Sequence, residues 1–288
     1  MKLGTRGSAL ALAQAGTVAA AIEGAELETI TTSGDRGFDP SDDKERWVRE
    51  LDEALLDGRV LLAVHSAKDL PAKLAEGVVI AATPARANPF DALCGAASLD
   101  ALPEGARVGS SSVRRSAQLR ALRDDLQIIE LRGNVDTRLA ALEGSEYEAI
   151  VIAMAGLDRL ARAGEAGALL DQMIPAAGQG TLAITAREGD SQAIALASAL
   201  DDQQTHRSLI AERALIELLE ADCHTPVGAH ATFEGSAMTL AAFVGRADGS
   251  AWLRDELTVS EGASTPEALG REVGERMLAA GANEVLGR

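Results

Sequence analysis

Four short segments of this sequence combine anion donors, a carboxylate and a thiol in ways that could serve one reaction site. The segment V-H-S-A-K-D-L-P, residues 64–71, follows an apolar run and packs His65, Ser66, Lys68 and Asp69 into the turn beyond it. In open α/β sheets ligands settle in the crevice past the carboxyl ends of strands. In V-G-S-S-S-V-R-R, residues 108–115, Gly109 leads through Ser110, Ser111 and Ser112 into a helix start carrying Arg114 and Arg115. Unsatisfied backbone N–H groups and the helix dipole favour anions there, although a single such turn is commonly just a serine cap with two surface arginines. L-R-G-N-V-D-T-R, residues 131–138, places Arg132 and Arg138 around a second glycine turn. Guanidinium forks suit carboxylates in bidentate fashion, and phosphate would fit equally well. D-C-H-T-P-V-G, residues 222–228, sets Cys223 in a polar turn, where a thiol is more accessible than the buried hydrophobe a lone cysteine such as Cys94 usually is.

Several chemistries are disfavoured. Neither a Walker lysine loop nor a G-x-G-x-x-G fingerprint is present, which lowers nucleotide readings. Cys223, His224 and His230 match no familiar ligand spacing, so no metal is expected. Two cysteines far apart suggest no disulfide framework. A cysteine hydrolase would need a base, and His65, His206 or His224 could supply one. The formal charge of -17, from 44 acids against 27 bases, argues against nucleic acid as a partner. Only four of those bases are lysines; excess acid with scarce lysine is the composition expected of a salt-adapted cytoplasm, the alternative being an acidic mesophilic protein from an arginine-rich genome. No apolar run reaches the roughly 18 to 20 residues of a membrane span. Residues 9–22 could pass for the core of a signal peptide, but Gln14, Gly16 and Thr17 interrupt them and Ser8 stands where a helix cap would, so an amphipathic helix is the simpler reading.

The elements that must hold these residues follow from hydrophobic patterning. The 288 residues, 47% of them hydrophobic, are enough for two or three compact domains. Apolar runs at 60–64, 78–82, 128–131 and 149–153 alternate with helical patterns at about 8–23, 47–57, 112–123 and 134–143, which predicts α/β architecture with largely parallel central strands. Proline-containing stretches at 84–89 and 175–180 read as two crossings between units, making the first domain discontinuous. From about Gln203 a long helix, alternating segments near 228–233, 238–246 and 251–259, and a closing helix near 265–281 predict an α+β domain with an antiparallel sheet.

The seven motifs G-T-R-G-S-A-L-A-L-A-Q (4–14), A-V-H-S-A-K-D-L-P, G-S-S-S-V-R-R, L-R-G-N-V-D-T-R-L, A-G-L-D-R-L, P-A-A-G-Q-G and C-H-T-P-V-G stand in an order that resembles the porphobilinogen deaminase (hydroxymethylbilane synthase) family. The resemblance spans nearly the whole chain. It implies two α/β domains like the halves of a type II periplasmic binding protein plus a smaller α+β C-terminal domain, at 1–84 with 181–199, 88–175 and 203–288. It implies a monomeric cytoplasmic transferase whose substrate is porphobilinogen and whose dipyrromethane cofactor is attached to Cys223 by a thioether. Asp69 would be the catalytic carboxylate. Ser66, Lys68, Ser110, Ser111, Ser112, Arg114, Arg115 and Gln179 would bind the cofactor, and Arg6, Ser8, Lys44, Arg132, Arg138 and Arg159 the substrate. A growing chain of acetate- and propionate-bearing pyrroles needs such donors, and a carboxylate would stabilise the cation left when ammonia departs. A non-catalytic two-lobed anion-binding protein would have no use for Cys223 or Asp69.

The chain departs from the family in one place above all. Where the family carries a stretch resembling G-G-K-G-L-F-x-K-E-L, residues 42–51 read D-D-K-E-R-W-V-R-E-L, with Lys44 retained, the glycines gone and Trp47 in place of phenylalanine. In the first motif Ala9 stands where proline is common.

Overall fold

The computed structural model describes residues 1–36 and 44–288; Asp42 and Asp43 of the altered stretch lie outside the described residues. Three sheets organise the described residues. The first has five strands in the order Glu26–Thr29, Lys2–Thr5, Leu62–Ser66, Leu182–Arg187, Val78–Ala82. The second repeats the pattern with Gln127–Ile129, Arg107–Gly109, Ala149–Ala153, Asp91–Cys94 and Ala166–Leu169. The third is an antiparallel meander of Val227–Glu234, Ala237–Gly245 and Trp252–Val259.

The central strands are mixed rather than largely parallel. In each five-stranded sheet the fourth strand, Leu182–Arg187 or Asp91–Cys94, runs antiparallel to both neighbours. Each of these strands follows a passage of the chain from one sheet to the other, so it enters from the opposite end. The other pairings at the core, Lys2–Thr5 with Leu62–Ser66 and Arg107–Gly109 with Ala149–Ala153, are parallel.

Burial explains the continuous apolar runs: every residue of Ala149–Ala153 is buried, as are the first four of Leu62–Ser66, which is the pattern of strands covered on both faces. The expected strand at 60–64 therefore sits two residues later, with Val60 buried beneath the helix Arg49–Leu56 in a separate cluster with Leu51 and Leu55. That helix begins after a 3-10 turn, Lys44–Trp47, so the single helix expected at 47–57 is two elements.

Helix starts fall where the polar turns predict them. Ser8 caps Ala9–Ala20 by accepting from Ala11 N, Ser112 caps Val113–Leu122 from Arg115 N, and Asn134 caps Val135–Glu143 from Thr137 N. The helices Gln203–Leu218 and Pro266–Ala279 pack on one face of the third sheet around Leu215, Leu240, Leu269 and Val273. Gly270 permits their close crossing, because a Cβ there would fall 2.3 Å from the Ala211 carbonyl oxygen.

Candidate functional site

A cavity of about 980 Å³ opens where loops of all three units meet. The first contributes Arg6, Ser8, Ser66, Lys68 and Asp69, the second Ser111, Arg115, Arg132, Arg138 and Arg159, and the third Cys223 and His224. A smaller recess of about 80 Å³ beside it is lined by Trp47, His65, Lys68 and Asp69 among others. Most of these residues stand at the end of a strand or the start of a helix: Ser66 closes Leu62–Ser66 and Lys68 follows it, Ser111 precedes Val113–Leu122 and Arg132 precedes Val135–Glu143, whereas Arg159 closes the helix Met154–Arg159 and Cys223 lies in the turn between Gln203–Leu218 and Val227–Glu234. The thiol of Cys223 is exposed.

Other residues expected at the site stand behind its wall. Arg114 does not line the cavity: it is buried, donating to Asp91 Oδ2 at 2.8 Å and to the Ile174 carbonyl at 2.9 Å. The first turn of its helix points inward at this buried carboxylate. Arg115 shares that carboxylate, with Nη2 at 2.7 Å from Asp91 Oδ1, yet still reaches the cavity. Gln179 is buried and bridges the two, donating to Asp91 Oδ1 at 2.9 Å and accepting from Lys68 Nζ at 3.5 Å. Ser110 accepts from Ser112 N, and Ser112 is spent on its helix cap, so both shape the turn from which Ser111 projects. Lys44 is absent from the lining; burial lowers its ammonium, and the nearby carboxylates of Asp69 and Asp222 oppose that fall.

Asp91 escaped the sequence reading. Burial alone would raise its carboxyl, and the two guanidiniums outweigh that and hold it far below the usual carboxylate range. The signal that could have found it is an aspartate opening an otherwise apolar run, P-F-D-A-L-C, just past a crossing. Asp35 and Trp47 also line the cavity.

The electrostatics favour a polyanion on one side. Burial pushes the Lys68 amine down to about 8, with Asp69 opposing the fall and Arg115 adding to it. Burial lowers Arg138 to about 10, which leaves it cationic at neutral pH. Inside the cavity Arg138 donates to Ser111 Oγ and to the Gly133 carbonyl, while Arg159 donates to the Gly180 carbonyl at 2.7 Å. These contacts fix the side chains in advance, which lowers the ordering cost of ligand capture.

Two of the three candidate hydrolytic bases, His65 and His206, are engaged by partners outside the large cavity. Burial pushes His65 down to about 4, and its Nε2 lies 3.0 Å from Thr185 Oγ1. His206 Nδ1 faces Asp201 at 2.8 Å, and His230 stands beside Phe90 and Glu212. Of the three candidate bases, His224 alone lines the large cavity among the described residues.

Two family models cover this chain. One described as porphobilinogen deaminase, dipyromethane cofactor binding domain, matches residues 1–195, and one described as porphobilinogen deaminase, C-terminal domain, matches residues 207–279. A relative named porphobilinogen deaminase from Rubrobacter xylanophilus is 45% identical over 99% of this chain and 96% of its own length. Another of that name from Roseiflexus castenholzii is 43% identical over 99% of this chain and 98% of its own. Among solved structures, a TRAP periplasmic solute binding protein from Desulfovibrio salexigens superposes with a TM-score of 0.44 at 10% identity, covering 71% of this chain and 73% of that one.

Proposed function

The chain belongs to the porphobilinogen deaminase family, and on that premise we propose how its residues divide the work of hydroxymethylbilane synthase. This transferase joins four porphobilinogen molecules head to tail, with loss of ammonia, on a dipyrromethane primer and releases the linear tetrapyrrole by hydrolysis. One observation carries the assignment of roles: an exposed thiol, a carboxylate and a wall of arginines line the same cavity.

The residues present fit the cofactor. Cys223 would hold it by a thioether, and Arg115, Lys68 and Ser111 would meet its carboxylates, with Ser66 beside Lys68 on the same loop. Gln179, Arg114, Ser110 and Ser112 serve from behind, by fixing Lys68, Arg115 and the serine turn. When bound, the group supplies a pyrrole carbon that accepts the incoming unit. Arg6, Ser8, Arg132, Arg138 and Arg159 take the carboxylates of substrate and growing chain, and Lys44 contributes charge at the Cys223 and Asp69 end.

Asp69 is the carboxylate on the same loop as Lys68, and the function proposed for it is electrostatic and protonic. It stabilises the cation formed as ammonia leaves the aminomethyl carbon, and it accepts the proton lost from the pyrrole carbon after the new bond forms. The divisions 1–84 with 181–199, 88–175 and 203–288 follow the three sheets and are proposed as the working domains. A monomer in the cytoplasm of a salt-adapted cell accords with the acidic composition, and no helix among the described residues is long and apolar enough to cross a membrane.

The test combines intact and peptide mass spectrometry with turnover of D69A. A mass excess of two pyrrole units on the Cys223 peptide, present in wild type and D69A alike, is expected, together with loss of turnover in D69A of at least about a hundredfold. An unmodified Cys223 that gains no adduct after incubation with porphobilinogen overturns the attachment site, and near-normal turnover of D69A overturns the catalytic role.

A further inference from the structure

At the rim of the cavity Arg6 is already engaged by a carboxylate of the protein itself. Its Nη2 pairs with Asp35 Oδ1, and its Nε lies 3.5 Å from Oδ2. Its guanidinium carbon also lies over the Trp47 ring, 4.2 Å from the ring centre. All three side chains line the cavity.

Both partners of Arg6 are held in place. Asp35 Oδ2 accepts from Thr32 N at 3.1 Å and from the Thr32 hydroxyl at 2.9 Å. Burial would raise this carboxyl, but Arg6 and Thr32 outweigh it and hold it below the usual range, so it is charged at neutral pH. Trp47 depends on the residue next to Asp35, since a Cβ at Gly34 would fall 2.4 Å from the indole. Ser33 fastens the two turns together by donating its hydroxyl to the Arg46 carbonyl and its N–H to Glu50 Oε1.

We infer that Asp35 is an internal stand-in for a substrate carboxylate, which Arg6 releases on binding, and that Trp47 is the platform on which the guanidinium turns between the two. The inference rests on the proposal that Arg6 receives substrate. A carboxylate arriving at Arg6 meets the negative charge of Asp35, so the two compete for one fork. The flat face of an indole holds a cation with little regard to its rotation, so Arg6 exchanges partners without leaving the ring. Asp35 thereby sets a threshold that a ligand carboxylate has to exceed and a neutral pyrrole does not. Asp35 and Trp47 are positioning residues in this account, acting through Arg6.

The experiment compares wild-type holoprotein with D35N and R6K, each in a W252F background so that Trp47 is the sole tryptophan. Trp252 lies on the outer strand of the third sheet, away from the cavity. In D35N the side-chain oxygen still accepts from Thr32, while the charge on Arg6 is unopposed. KM for porphobilinogen is expected to fall about three- to fivefold, the scale of a partly exposed ion pair, with kcat unchanged or lower. The change in Trp47 emission on titration with porphobilinogen should move to correspondingly lower concentration. An unchanged or raised KM in D35N, with R6K raising KM, overturns the inference and leaves the role of Arg6 standing. A KM indifferent to both substitutions removes Arg6 from the substrate site, and the inference falls with it. Should D35N melt early, the parent protein still decides: Trp47 emission that does not respond to saturating porphobilinogen overturns the exchange.

Discussion

Two charged groups at the site sit in environments that change what they can do. Lys68 is the clearest: with its amine near 8, it is a cation at neutral pH and a neutral amine on the alkaline side. If its charge helps capture carboxylates, kcat/KM for porphobilinogen falls as pH rises through about 8, because the favourable form is the protonated one. Lys68→Arg keeps the charge throughout that range, so the alkaline fall should vanish or move up by more than one pH unit in its pH profile. A fall of the same position and steepness in the variant assigns the titration to another group. Asp91 is the opposite kind of residue, a buried carboxylate that two guanidiniums keep charged. The serine, arginine and cysteine turns were legible in the sequence because their spacing is local. Asp91 was not, because its partners lie 23 and 24 residues away and are brought to it by the order of strands in the sheet. The contact of Arg114 with Asp91 was hidden for the same reason, since a helix's first turn is legible in sequence while the direction it faces is not.

Among the elements, the helix Arg49–Leu56 contains a group that works against its own stability. Asp52 is 8% exposed, and burial raises its carboxyl to about 6. The folded state therefore holds this proton more tightly than the unfolded chain, whose carboxyl titrates near 3.9. The contribution is fully present below about 4 and is lost as pH rises through about 6. Asp52→Asn keeps the shape and removes the charge, so it should stabilise the protein at pH 7 by about 1–2 kcal/mol. The gain should disappear near pH 4, as followed by thermal melting across that range; equal melting of the two proteins at pH 7 would show that the carboxylate is not penalised. Helix caps at Ser8, Ser112 and Asn134 could be read from single residues, because capping is a contact over three positions. Strand direction could not be read at all: the apolar runs that become Leu182–Arg187 and Asp91–Cys94 carry no mark of the direction in which the chain enters the sheet.

Across the whole molecule, one buried carboxylate joins the unit that carries Cys223 to the crossings between the other two. Glu212 accepts from Arg86 Nη1 at 2.6 Å, from Gly178 N at 2.6 Å and from Ala231 N at 2.8 Å. Arg86 and Gly178 lie on the two separate crossings, and Arg86 also donates to the Gln179 carbonyl. Gln179 in turn reaches Lys68 and Asp91, so the cavity wall and the third unit share one set of hydrogen bonds. That local order contrasts with the charge of the molecule as a whole. A net charge of -17 repels a substrate that carries carboxylates, while the cavity gathers Arg6, Lys68, Arg115, Arg132, Arg138 and Arg159. The repulsion acts over the long range from dispersed surface acids, whereas the attraction acts at hydrogen-bond distance. Salt separates them, because the screening length falls from about 10 Å at 0.1 M to about 3 Å at 1 M. Added KCl should therefore remove the repulsion first, and kcat/KM for porphobilinogen should rise between about 0.05 M and 1 M, with kcat little changed. Steady-state kinetics over that series checks it: a monotonic loss of kcat/KM would mean that the field of the cavity, rather than that of the surface, already governs the approach of substrate at low salt.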